Sequence, residues 1–277
     1  MIITKITGGL GNQMFQYAIA KSIALKNHDK FLLDISFYAK QSLRKYELNL
    51  FNIEEHFAKP ESFLSKVTRK IGFVSKGYYI EKEIAVFDKS VFEYDNIILD
   101  GYWQNEKYFK DIRESILKDF TPKKELSHNV KEEYLDIIKG CNSISIHIRR
   151  GDYLEKGTNE IHGVCDLLYY KKAIELLEQK IDNPKFFIFS DDISWCKDNL
   201  SFLNNPIFID KTKSAIEDLE LMKHCKHNII ANSTFSWWGA WLNENEEKNV
   251  IAPKRWFIDK EMNNQSIDIV PSKWKRI

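Results

Sequence analysis

Between residues 143 and 231 the chain alternates short apolar runs with helical stripes, and this alternation limits what it can fold into more than any other feature. A strand over 143–148 is followed by a stripe of Tyr170, Ala173, Ile174, Leu177 and Ile181, then by the strand Phe186-Phe187-Ile188-Phe189. A short helix, the strand Ile207-Phe208-Ile209, a stripe of Ala215, Ile216, Leu219 and Met222, and the strand Asn228-Ile229-Ile230-Ala231 continue the pattern. Apolar strands separated by amphipathic helices predict an α/β fold whose parallel sheet is covered on both faces. Ligands of such sheets bind outside the carboxyl ends of the strands.

Three polar clusters sit directly after three of these strands: His147 to Asp152, Ser190 to Asp192, and Asn232-Ser233-Thr234-Phe235-Ser236. Arg149 and Arg150 each offer a rigid fork of donors that matches a phosphate, so the first cluster reads as an anion site. The plainer alternative is a strand end whose arginines pair with neighbouring carboxylates. Ser233 or Thr234 is placed as an N-cap of a helix bearing Trp237, Trp238, Ala240, Trp241 and Leu242, whose first backbone N–H groups favour an anion. Asp191 could accept from both N1–H and the 2-amino group of a guanine. Asp191-Asp192 also invites a metal reading, but the pair is contiguous and opens a helix, and two arginines can neutralise a diphosphate unaided, so no metal is expected.

In the first half, Ile2, Ile3 and Ile6 read as a strand leading through Gly8-Gly9-Leu10-Gly11-Asn12-Gln13 into a helix with Phe15, Ile19 and Ile23 on its apolar face. The loop lacks the G-x-G-x-x-G spacing of dinucleotide folds, so it is taken to line a cleft with the amides of Asn12 and Gln13. Phe31-Leu32-Leu33-Asp34-Ile35 is a second strand, while residues from about 36 to 100 resist parsing. After them, Asp100-Gly101-Tyr102-Trp103-Gln104-Asn105 precedes a helix through Tyr108, Phe109, Ile112 and Ile116. Trp103 is either core packing or a platform on which a pyranose could stack. Thr121-Pro122-Lys123-Lys124 breaks the composition, and a polar helix through Val130, Tyr134 and Ile138 follows up to Gly140; the boundary divides residues 1–122 from 123–277.

A chain of 277 residues suits two ordinary domains, and a net charge of +1 leaves no footprint for nucleic acid, the basic tail around Trp274 being read as solvated. Cys141, Cys165, Cys196 and Cys225 are too scattered for a metal knuckle and read as reduced thiols. Neither a signal peptide nor a membrane span is evident, which makes the cytoplasm the expected location.

The motifs Gly8 to Ala18, His147 to Tyr153, Phe189-Ser190-Asp191-Asp192 and Asn232 to Leu242 together resemble the bacterial α-1,2-fucosyltransferases of glycosyltransferase family 11. The resemblance implies two Rossmann-like domains facing across a cleft, the GT-B type. Residues 1–122 would serve the acceptor and 123–277 would bind GDP-fucose, with the last residues free to pack back on the first domain. It implies inverting transfer of L-fucose to the 2-hydroxyl of a terminal β-galactose, with neither metal nor cofactor. Arg149 would be catalytic at the leaving diphosphate, supported by His147, Arg150 and Asp152. Asp191 would read guanine, and Asn232, Ser233, Thr234, Phe235 and Ser236 would hold phosphate or ribose. Asn12 would approach the fucose, with Gly9, Gly11 and Gln13 shaping its loop. A β-galactoside glycan is the expected partner, and a lipid-linked acceptor would bring the protein to the inner face of the membrane. The base stays open between a carboxylate, a histidine such as His162, and none. The alternative function is a non-catalytic GDP- or glycan-binding module.

Overall fold

A computed structural model describes residues 1–59, 77–151, 153 and 161–277. The chain divides into two compact units, one of Met1–Lys123 with Gln265–Ile269, the other of Lys124–Asn264 with Val270–Ile277. Each is built on a parallel sheet, so the α/β class holds in both halves.

In the first unit β1 (Ile2–Lys5) lies centrally, between β2 (Phe31–Asp34) and β4 (Ile97–Asp100), and β3 (Tyr78–Ile80) pairs with β4. Helix α1 (Leu10–Lys26) packs its Phe15 against Phe109 and its Tyr17 against Phe120, ring centroids 5.8 and 5.5 Å apart. Most of α1 is buried on all sides, as a helix that continues a buried strand should be. The unparsed stretch 36–100 supplies β3 and β4, two strands of three and four residues that give too few alternations to stand out. The helix expected through Tyr108 begins as two 3₁₀ turns and becomes α-helical only over Arg113–Asp119, here α2.

The second unit orders six parallel strands as β10-β9-β8-β5-β6-β7, with β5 Asn142–Ile148, β6 Pro184–Ser190, β7 Ile207–Phe208, β8 His227–Ile229, β9 Val250–Ala252 and β10 Lys275–Arg276. Along β6, Phe186 and Ile188 enter one core while Phe187 and Phe189 enter the other, which is why the run is apolar throughout. The first core is closed by α3 (Leu167–Glu178) through Tyr170, Ala173, Ile174 and Leu177. The second is closed by residues 128–139 and by α5 (Ala215–His224). The short α4 (Ile193–Asn199) follows β6, and α6 (Thr234–Leu242) follows β8.

Helix α6 carries Trp237, Trp238 and Trp241, all buried, and Trp274 lies 5.5 Å from Trp237 between ring centroids. Gly239 lets α6 approach α5: a Cβ there would stand 2.9 Å from Met222 Cβ. Overpacking of this kind costs about 1–3 kcal/mol, so Gly239→Ala should lower the melting temperature by several degrees in a thermal scan. All four cysteines are free thiols, and burial pushes Cys196 up to about 11 and Cys165 to about 12. Among the described residues, no helix is long and apolar enough to cross a membrane.

Candidate functional site

The β5–β6 register pairs His147 with Phe189 and Ile148 with Ser190, so the next residues of each strand leave the sheet side by side. Arg149 Nη1 lies 3.0 Å from Asp191 Oδ2, and the Arg150 backbone N–H donates to Asp191 Oδ1 at 2.9 Å. Arg150 Nε lies 3.4 Å from Asp192 Oδ2, and its guanidinium sits 3.8 Å above the Trp195 ring centroid. Asp192 also caps α4, accepting from the Trp195 N–H at 3.1 Å. Gly151 has a specific reason to be glycine, because a Cβ there would come within 2.7 Å of Asp191 Oδ2. Both arginines therefore leave the sheet held from behind by carboxylates and partly exposed in front, at 25% and 19% side-chain accessibility. Asp152 lies outside the described residues.

His147 is 5% exposed, with its ring 5.7 Å from Phe235. Burial, aided by the charge of Arg149, lowers its pKa to about 3, so the imidazole is neutral at physiological pH. Its Nδ1 has no hydrogen-bond partner among the described residues. An unmatched buried nitrogen costs about 1–3 kcal/mol, and a bound ligand could relieve it.

The third strand end behaves differently from expectation at Asn232. This residue is 2% exposed, and its Nδ2 reaches the carbonyls of His162, Gly163 and Trp256 at 2.9, 3.2 and 3.1 Å. Its Oδ1 accepts from Cys165 Sγ at 3.5 Å, and its carbonyl accepts from the Tyr153 hydroxyl at 3.2 Å. The side chain thus ties the segment around His162 and Gly163 and the Trp256 backbone to this strand end. Ser233 is the N-cap residue of α6 but makes no side-chain cap bond, and its carbonyl accepts from the Ser236 hydroxyl at 3.3 Å. What this strand end offers an anion is therefore the Ser233 hydroxyl and the first-turn N–H groups of Thr234, Phe235 and Ser236.

Asp218 was not singled out from sequence, where an acidic residue in the first turn of a helix reads as a simple dipole partner. Its Oδ1 accepts from Thr212 Oγ1 at 2.7 Å, and burial pushes its pKa up to about 6. It sits where α5 begins after β7, on the carboxyl edge of the sheet, and a perturbed carboxyl there is a functional candidate. Because the folded pKa exceeds that of a free aspartate, stability is full below about pH 4 and falls as pH rises through about 6. Asp218→Asn should therefore be more stable than the parent by on the order of 1–3 kcal/mol at pH 7.5, and the difference should vanish near pH 4. Chemical denaturation at the two pH values checks this.

In the first unit the strand, glycine loop and helix form as expected, but the Gln13 amide turns into the loop and does not line a cleft. Gly8 has φ +76, in the left-handed region, and its carbonyl accepts from the Tyr38 hydroxyl at 2.8 Å. Gln13 is fully buried and holds the loop: its Nε2 donates to the carbonyls of Gly8 and Lys45, and its Oε1 accepts from the Glu47 N–H. Gly9 and Gly11 open the way into α1, and Asn12, half-buried, accepts from Gln104 Nε2 at 3.0 Å. Trp103 is only 1% exposed, which removes it as a stacking platform; its neighbour Tyr102, at 39%, has an accessible ring.

The model of "Glycosyl transferase family 11" matches residues 1–277. An α-1,2-colitosyltransferase of Escherichia coli is 35% identical, covering 100% of this chain and 99% of the relative. A galactoside α-(1,2)-fucosyltransferase 2 of Sus scrofa is 27% identical over 52% of this chain and 45% of its own. Among solved structures, the NodZ α-1,6-fucosyltransferase soaked with GDP-fucose superposes with a TM-score of 0.52 at 15% identity, covering 87% of this chain and 91% of that one. At that identity the likeness speaks for the fold alone.

Proposed function

The chain belongs to glycosyltransferase family 11, and from that premise we propose that it transfers a 6-deoxy-L-sugar, L-fucose first, from its GDP derivative to the 2-hydroxyl of a terminal β-galactoside with inversion. The observation that carries the reading is the convergence of Arg149, Arg150 and the α6 N-terminus on one sheet edge. Two guanidinium groups and a turn of unbonded N–H groups match a diphosphate, and Asp191 fixes Arg149 at 3.0 Å before any ligand arrives.

In this reading the acceptor 2-hydroxyl attacks the anomeric carbon from the face opposite GDP, and the C1–O bond to the diphosphate breaks as the new C1–O bond forms. Arg149 meets the charge that grows on the departing oxygen, which is where a preorganised donor lowers the barrier most. No metal is required by this chemistry, since the arginine pair supplies the charge. The acceptor's proton passes to solvent. Asp191 already accepts from Arg149 and the Arg150 N–H, so any guanine contact would share its remaining lone pairs. Asp218 is a further carboxylate, at the start of α5.

A second donor is favoured by the whole-length similarity to a colitosyltransferase. Colitose is fucose without its 3-hydroxyl, so one contact decides between them. A site that hydrogen-bonds that hydroxyl rejects the deoxy donor by about 10⁴–10⁵, whereas an apolar site discriminates only about 10- to 200-fold. The test is incubation with GDP-fucose or GDP-colitose and lactose or N-acetyllactosamine, with a chelator present. GDP release matched by an α-1,2-linked product supports the proposal; tight GDP binding without product from either donor would favour a non-catalytic binding module.

A further inference from the structure

The loop after β4 is held in a conformation it would not adopt alone. Trp103 has φ +58 although it is not glycine, and its buried Nε1 has no partner among the described residues. Backbone of this kind costs on the order of 1–3 kcal/mol and persists only where the surroundings impose it. Here they do so through one side chain, Glu81. Its Oε2 accepts from the Tyr102 N–H at 2.6 Å, and its Oε1 from the Trp103 and Ala85 N–H groups at 3.1 and 3.4 Å. Ala85 is itself left-handed at φ +62, and its carbonyl accepts from Asn105 Nδ2 at 2.7 Å. Gly101 leaves the space that Glu81 fills, since a Cβ there would overlap Glu81 Cβ.

The next residue along is Gln104, whose Nε2 donates to Asn12 Oδ1 at 3.0 Å. A parallel tie runs through Gln16, whose Nε2 donates to the Gly101 carbonyl at 3.0 Å while its Oε1 accepts from the Thr7 N–H at 2.9 Å. With its oxygen taken by Gln104, the Asn12 amide has N–H groups to offer a ligand, and these suit the hydroxyl or ring oxygens of an uncharged sugar.

We infer that Glu81 is a positioning residue for sugar binding on the first unit: it locks the Gly101–Gln104 turn, which sets Gln104 against Asn12 and fixes the Asn12 amide as a hydrogen-bond donor to substrate. The inference rests on the transfer reading above for the identity of the ligand, but the lock can be measured without turnover. Glu81→Gln replaces one accepting oxygen by an NH₂ group aimed at backbone donors. It should speed hydrogen exchange at the Tyr102 and Trp103 N–H groups by at least about tenfold. It should also lower kcat/KM for transfer by about 10- to 100-fold, as a displacement near 1 Å does, with GDP affinity within about twofold of the parent.

Gln104→Leu should reproduce the loss of transfer while leaving exchange at Tyr102 and Trp103 as in the parent. The double variant should be no worse than Glu81→Gln, because the two act as one unit. A merely structural Glu81 would instead give additive losses and unequal effects on folding. Unchanged exchange in Glu81→Gln overturns the inference whether or not the parent turns over, and so does parent-level transfer from the opened loop. A parent that transfers no sugar sinks the functional reading alone. Should Glu81→Gln fail to fold, parent-level transfer by Gln104→Leu overturns the inference.

Discussion

Arg149→Ala should lose about 10²–10³ in turnover, the typical effect of removing one donor aimed at developing negative charge. The fold should survive, because Asp191 remains partly exposed to water and keeps the Arg150 N–H as a partner when the guanidinium is removed. Arg149→Lys should recover little. A lysine ammonium is a compact point charge, whereas the planar guanidinium fork can hold Asp191 and still present coplanar N–H groups to the diphosphate. Steady-state rates with GDP-fucose and a galactoside, read beside a thermal melt of each variant, separate the outcomes. A well-folded Arg149→Ala that transfers at the parent rate would remove Arg149 from the mechanism. The neutral imidazole of His147, buried beside this arginine, adds no competing positive charge, so activity should show no titration step from it above pH 5.

The second large effect is expected at Asn232, on stability. Asn232→Asp would turn a carboxylate toward the three carbonyls that Nδ2 now serves, leaving them unmatched in a site only 2% exposed. Each buried group stranded in this way costs about 1–3 kcal/mol, so a loss of about 3 kcal/mol or more is expected, enough to unfold a marginal protein near 37 °C. Asn232→Ala should cost somewhat less, since it removes the donor without adding a charge. Denaturant titration gives the number. If Asn232→Asp instead kept parental stability and lost only GDP affinity, the residue would be a ligand contact after all.

These two positions show where the sequence was readable and where it was not. The arginines were legible because β5 announces itself: Ile144, Ile146 and Ile148 alternate, and the strand has to end where the charges begin. Most of the second unit follows from the same apolar runs and helical stripes, while β9, β10 and the helix Lys260–Gln265 lie outside them. Asn232 is harder to read, because a buried structural amide and a ligand-binding amide are the same letter in the same motif, and its hydrogen bonds to three carbonyls are not visible in the sequence. Trp103 is open to two readings for a related reason, since an aromatic beside amides fits both a sugar platform and a core, and its burial decides for the core. Glu81 could not have been found at all, because its partners Tyr102 and Trp103 lie 21 and 22 residues further along the chain. Asp218 was hidden by its ordinary place in the first turn of a helix, and only burial makes it unusual.

The central claim is that the carboxyl edge formed by β5, β6 and the start of α6 holds the donor's diphosphate. A crystal structure of the protein with GDP tests it most directly. The expected result is phosphate oxygens about 2.7–3.2 Å from the Arg149 guanidinium and from N–H groups of residues 234–236, with Asp191 still against Arg149. Well-defined GDP whose diphosphate lies out of reach of Arg149 would contradict the account.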